Sequence, residues 1–295
     1  MELPELPNEA TVSPTRTSCP PAPDDAWNRH FLSVARPSIR SMETVTSRDG
    51  TTIAFDRYGS GPAVVLVGGA IQHRRIDQQT ARLGQLLADA GLAALHYDRR
   101  GRGDSTDTQP YAIERELEDL DALIDAAGGS AFLYGMSSGA ALVLHAAATG
   151  RPTDRIALYE APFDAGDGPT DPIFEAIREG RNGDAMELFM RNAGMPAAMV
   201  AQARQSPGWP AREAVAPTLA YDLTIMGDGS PPTDVLAAIK APVLAMDGGA
   251  SPPWAAASAE AIVAGVANGR RRTLADQTHA VDPEVLAPVL IEFFS

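Results

Sequence analysis

Ser137 is the residue whose surroundings point most directly to chemistry. It stands in Gly135-Met136-Ser137-Ser138-Gly139, after the apolar run 131–134 and before the small and aliphatic run 140–144. The first run reads as a short buried strand and the second as a buried helix. A strand turning that sharply into a helix holds the residue at the bend in a strained conformation. The glycines two positions to either side keep side chains out of the turn. The hydroxyl is pushed clear of the backbone, above a helix N-terminus with free N–H groups and a positive dipole end. That suits a nucleophile whose attack creates an oxyanion. The five-residue pattern is common by itself; the strand before it and the helix after it make it specific.

The elements that must position Ser137 are legible on both sides. Residues 43–56 read as a β-hairpin with Asp49-Gly50 at its turn. The run 63–67 is wholly apolar, as a strand covered on both faces should be, and Gly68-Gly69-Ala70 follows it. Spacing predicts a helix over 72–90 stopped by Gly91, a buried strand over 92–97 and an acidic helix over 112–127. A strand over 155–160 ends in Glu160. Strands alternating with helices give an α/β protein with a mostly parallel central sheet and flanking helices. Residues 164–238 then change character, being Met-rich, Pro-punctuated and helical in pieces (171–179, 184–192, 196–205 and 211–226), and read as an inserted helical cap. The sheet resumes over 241–246, a helix runs over 254–266, a short strand over 271–274 and a last helix over 283–294. The organisation is thus a flexible Pro-rich leader (1–40), a first part of the core (41–163), the cap (164–238) and a second part of the core (239–295).

Composition narrows the function classes. With 295 residues and a hydrophobic fraction of 44%, the chain can bury a substantial core. The formal net charge of −14 argues against nucleic acid or an anionic membrane as partner, and no apolar run is long enough to span a bilayer. The single cysteine, Cys19, lies in the leader, so the body offers no Cys nucleophile, Cys metal site or disulfide framework. The leader lacks the basic start and apolar centre of a secretory signal, which makes the cytoplasm the default compartment. Oligomeric state is left open.

With these pieces in order, the chain resembles an α/β-hydrolase. The matching segments are 135–139, the strand-end turn Tyr97-Asp98-Arg99-Arg100-Gly101-Arg102-Gly103-Asp104-Ser105, the loop Val67-Gly68-Gly69-Ala70, and His279 between the last strand and the last helix. The resemblance implies the α/β-hydrolase fold and a triad running nucleophile, acid, His along the chain, with His279 as general base. His30 lies in the leader, His96 inside a strand, His145 within the helix after Ser137, and His73 beside the pocket. The acid departs from the family's usual pattern. Where an Asp usually follows the strand after the cap, the turn reads Gly248-Gly249-Ala250-Ser251-Pro252, and a hydroxyl cannot supply the charge a catalytic His needs. Glu160 is the candidate acid and Asp247 the alternative. A purely structural Glu160 would instead bind backbone N–H groups of the neighbouring loop. In the displaced acid, the Gly-Ala-Ser-Pro turn and Pro207-Gly208-Trp209, the chain also resembles zearalenone lactone hydrolases.

The implied chemistry is cleavage of a carboxylic ester or lactone of a mostly apolar small molecule through an acyl-enzyme. Ser137 attacks, His279 takes its proton, Glu160 holds His279, and the N–H groups of Ala70 and Ser138 receive the oxyanion. The scheme asks for no metal and no organic cofactor. In the cap, Trp209, Tyr221 and Met226 are candidates to line the substrate pocket, with Trp209 foremost. Asp98 and Arg99 read as organisers of their turn. The same triad could instead serve C–C hydrolysis, perhydrolysis or cyclisation, or the chain could be a ligand receptor with little turnover.

Overall fold

A computed structural model of the protein describes residues 42–151, 153–163 and 170–295; the leader, 1–40, lies outside them. Eight strands form one sheet in the order β1-β2-β4-β3-β5-β6-β7-β8. The hairpin strands β1 (Met42–Thr46) and β2 (Thr52–Tyr58) pair antiparallel, and β2 pairs antiparallel with β4 (Ala93–Tyr97). From β4 onward all neighbours are parallel: β3 (Ala63–Val67), β5 (Phe132–Met136), β6 (Ile156–Tyr159), β7 (Val243–Gly248) and β8 (Gly269–Leu274).

Strand side chains alternate between two faces, and both faces are covered by helices, which is why β3 and β4 are apolar throughout. On one side Val65 and Val67 pack with α2 (Ile113–Ala126), α3 (Ser138–Ala148) and α10 (Pro253–Gly265). On the other, Val64 and Leu66 pack with α1 (Gln78–Asp89) and α11 (Pro283–Phe294). Between β6 and β7 the chain makes α4 (Asp171–Arg178), α5 (Asn182–Asn192), α6 (Ala197–Arg204), α7 (Trp209–Val215), α8 (Leu219–Met226) and α9 (Thr233–Ala238). A third apolar cluster, including Met186, Trp209 and Leu219, lies among these helices and takes in Ile71 and Ala70 from the loop after β3.

Two helices differ from the sequence reading in start or continuity, and α9 lies where none was expected. The helix expected from residue 72 begins at Gln78, because Asp77 caps it, accepting from the Thr80 N–H at 2.9 Å and the Thr80 hydroxyl at 2.7 Å. The helix expected over 211–226 is two helices joined by a 3₁₀ turn, Ala216–Thr218. Pro217 in that turn has no N–H to give an α-helix.

Candidate active site

Ser137 joins β5 to α3 with φ 55° and ψ −129°. Its N–H donates to the Tyr159 carbonyl at 3.0 Å, and its own carbonyl accepts from the Ala140 N–H at 2.9 Å. The bend needs both glycines. A Cβ on Gly135 would lie 2.6 Å from the Gly139 carbonyl oxygen, and one on Gly139 would lie 2.4 Å from that of Val67. Among the described residues, the non-glycine positions with positive φ are Ile71 (58°), Ser137 (55°), Glu160 (48°) and Asp276 (58°). Each costs about 1–3 kcal/mol and persists only where its surroundings over-determine it. All four belong to segments that carry a candidate catalytic group: the loop of Ala70, the elbow, the end of β6 and the loop of His279.

The Glu160 side chain is fully buried, and its Oε2 lies 2.7 Å from His279 Nδ1. Because a carboxylate only accepts, the Nδ1 proton is assigned to this bond, leaving Nε2 as the free acceptor. The other oxygen, Oε1, accepts from the Gly248 N–H at 2.8 Å, so Glu160 both meets His279 and binds loop backbone. The His279 loop is held from beneath as well. The Tyr159 hydroxyl donates to the Thr278 carbonyl at 2.6 Å, and burial together with the Glu160 charge pushes that hydroxyl's pKa far up, keeping it a neutral donor. The Trp254 ring meets the His279 ring edge-on, with centroids 5.9 Å apart. Asp247 turns elsewhere: its Oδ1 accepts from Arg271 Nε at 2.8 Å, and Thr273 Oγ1 lies 3.1 Å from its Oδ2. Ser251, where an acid would more usually stand, has a buried hydroxyl without a hydrogen-bond partner among the described residues.

Across Ser137, Gly69 packs so closely that a Cβ on it would lie 2.8 Å from the Ser137 Cβ. Ala70 follows directly. The N–H of Ser138 opens α3, where no intrahelical acceptor exists for it. The Ser138 hydroxyl donates to Asp222 Oδ1 at 2.7 Å, and Asp222 comes from α8.

A model of the Alpha/beta hydrolase family matches residues 64–289. The chain belongs to that family. An alpha/beta hydrolase from Sphaerobacter thermophilus shares 51% sequence identity with this hydrolase, covering 86% of it and 100% of the other chain at a TM-score of 0.78. At lower identity, a hydrolase from Pseudomonas aeruginosa (22%, TM-score 0.67, 86% and 98% covered) and an esterase from Exiguobacterium antarcticum (18%, TM-score 0.66, 86% and 99% covered) share the fold. Over 133 residues, 45% of this chain, it is also 31% identical to a UDP-N-acetylglucosamine--N-acetylmuramyl-(pentapeptide) pyrophosphoryl-undecaprenol N-acetylglucosamine transferase of Leifsonia xyli. The match spans only 35% of that protein's length.

The remaining candidates of the hydrolase divide by location. Trp209 is buried in the apolar cluster of the inserted helices. Tyr221 stacks on Tyr111 with centroids 3.9 Å apart, and its hydroxyl donates to Asp107 at 2.6 Å, so its polar end is already occupied. Met226 packs against the core that holds α3. Asp98 organises its turn as expected, accepting from the N–H groups of Arg74 at 2.7 Å and Asp104 at 2.8 Å. Arg99 reaches further, to Glu116 and to Asp222 at 2.7 Å each. Asp222 was not singled out from sequence, and Arg99 was read only as an organiser of its turn; three arginines in one eight-residue turn, 98–105, were the available signal that buried acids must meet them. Among the described residues no group of His, Cys, Asp and Glu side chains is arranged to hold a metal ion, and no helix is long and apolar enough to cross a membrane.

Proposed function

We propose that the protein is a serine hydrolase that cleaves a carboxylic ester or lactone of a mostly apolar small molecule through an acyl-enzyme. The observation that carries this reading is the 2.7 Å contact between His279 Nδ1 and the buried Glu160 carboxylate, in a chain that also bends sharply at Ser137. Ser137 Oγ attacks the carbonyl carbon as His279 Nε2 takes its proton, and Glu160 stabilises the resulting imidazolium. The N–H groups of Ala70 and Ser138 receive the oxyanion. The imidazolium returns its proton to the leaving oxygen, and a water activated by the same nitrogen then releases the acid. No step calls on a metal or an organic cofactor. The helices α4–α9 act as a cap, whose apolar cluster with Ile71 and Ala70 favours an apolar substrate.

The lactone half of the proposal rests on the likeness to zearalenone lactone hydrolases, namely an acid after β6 and the turn Gly249-Ala250-Ser251-Pro252. The test is steady-state hydrolysis of p-nitrophenyl esters and an aryl lactone by wild type and Ser137→Ala. Loss of at least about 10³-fold in kcat on Ser137→Ala is expected. Activity that survives the substitution sinks the reading. A stoichiometric burst that stalls would point to a receptor with little turnover.

A further inference from the structure

Arg102 is buried to its tip, and its guanidinium is fixed on three partners. Nη2 donates to Asp222 Oδ2 at 2.6 Å, Nε to Thr218 Oγ1 at 3.0 Å and Nη1 to the Gly69 carbonyl at 2.7 Å. The third contact matters most. The Gly69 carbonyl and the Ala70 N–H are opposite ends of one planar peptide, which is trans. A donor fixed on the carbonyl therefore fixes the direction of the N–H, and it polarises the peptide so that the N–H becomes a stronger donor. The loop needs such an outside hold, because Ile71, the next residue, is β-branched and left-handed at φ 58°.

Asp222 extends the same device to the second donor. Its Oδ2 holds Arg102 while its Oδ1 accepts from the Ser138 hydroxyl at 2.7 Å and from Arg99 Nη1 at 2.7 Å. Burial alone would push this carboxyl up, but Arg102 and Arg99 outweigh it and hold it below the ordinary carboxylate range. One charged side chain on α8 thus touches both the residue that carries one donor N–H and the arginine that holds the other.

We propose that Arg102 and Asp222 are a positioning pair that aims and polarises the oxyanion donors, Arg102 acting on the Gly69–Ala70 peptide and Asp222 on Arg102 and Ser138. The proposal rests on the serine-hydrolase reading of Ser137. The competing account is that the ion network only docks α8 onto the core.

Arg102→Lys keeps a charge opposite Asp222, but an ammonium lacks the planar fork that serves three partners at once. Asp222→Asn keeps the shape and one acceptor and removes the charge. Each is measured for p-nitrophenyl ester kinetics, thermal unfolding, and affinity for an arylboronic acid, whose adduct with a serine mimics the tetrahedral oxyanion. The expectation is a fall of about 10- to 100-fold in kcat with KM nearly unchanged, and a matching loss of boronate affinity. A lowered Tm with wild-type kcat and boronate affinity overturns the proposal and leaves only docking. Should Arg102→Lys fail to fold, Thr218→Val, which removes the acceptor at Nε together with the hydroxyl's own bond to the Val215 carbonyl, is read in the same way, with an expected kcat loss of about threefold. Activity surviving in Ser137→Ala removes the underlying reading; a dead Ser137→Ala beside an unimpaired Arg102→Lys removes this inference alone.

Discussion

Glu160 serves two donors with two oxygens, the His279 ring on one and the Gly248 N–H on the other. A Gln there has one oxygen and an NH₂ group, so one of the two donors must face another donor, and the negative charge is gone. For Glu160→Gln we expect kcat/KM to fall by about 10³- to 10⁴-fold with the fold retained. Asp247→Asn should do the reverse. It leaves ester turnover near wild type and lowers stability by about 1–3 kcal/mol through the contacts with Arg271 and Thr273. Ester kinetics and urea melts on the two variants check this pair, and a dead Asp247→Asn would move the acid. That the turn after β7 offers Ser251 and no carboxylate was legible in the sequence. That Glu160, and not Asp247, is the carboxylate that meets His279 was legible only as one of two options.

At the scale of elements, the elbow works because α3 begins almost in contact with the end of β3. A Cβ on Gly139 would lie 2.4 Å from the Val67 carbonyl oxygen and 2.5 Å from that of Gly68, both backbone atoms that cannot swing aside. Gly139→Ala is expected to destabilise by at least about 2 kcal/mol. It should also cost turnover in whatever folds, since the helix start that presents the Ser138 N–H must move. Chemical denaturation beside ester kinetics measures both, and a wild-type melt would contradict the packing argument. The inserted helices show how local pattern misleads. Apolar spacing over 211–226 suits one helix, yet Pro217 splits it, and the break leaves Thr218 and Asp222 facing Arg102. Helix periodicity reports which face is apolar and carries no information about a distant arginine.

Over the whole molecule, buried histidines set an acid limit before the carboxylates do. His96 sits inside β4, 2% exposed, with Nδ1 unpartnered among the described residues. Burial pushes its pKa below the ordinary 6.5, against the opposing pull of Asp77, Asp98 and Asp56. The folded state therefore keeps it neutral while the unfolded chain takes up a proton below about pH 6.5. The unfolded state then binds more protons, so stability falls as pH drops below about 6.5 and is flat in this term above it. His73 and His145 are shifted down chiefly by burial too and add to the same slope. Urea midpoints at pH 8, 6 and 5 should decline for wild type and decline less for His96→Gln. Equal declines would remove His96 from the account.

The strands, the elbow and the last helix are determined by short-range pattern. The runs 63–67 and 132–136 are apolar because both faces of a parallel strand are covered, and the Ser137 bend is bracketed by its own glycines. The family and the candidate nucleophile could therefore be read from adjacent residues. The partners of the buried charges could not. His279 lies 119 positions from Glu160, and Asp222 lies 120 from Arg102. Whether a carboxylate reaches one partner or another depends on where its backbone turns it, and Glu160 and Asp247 stand at the C-terminal ends of neighbouring parallel strands. Only the assembled sheet, with Glu160 held at φ 48° and Asp247 paired to β8, directs one toward His279 and the other away.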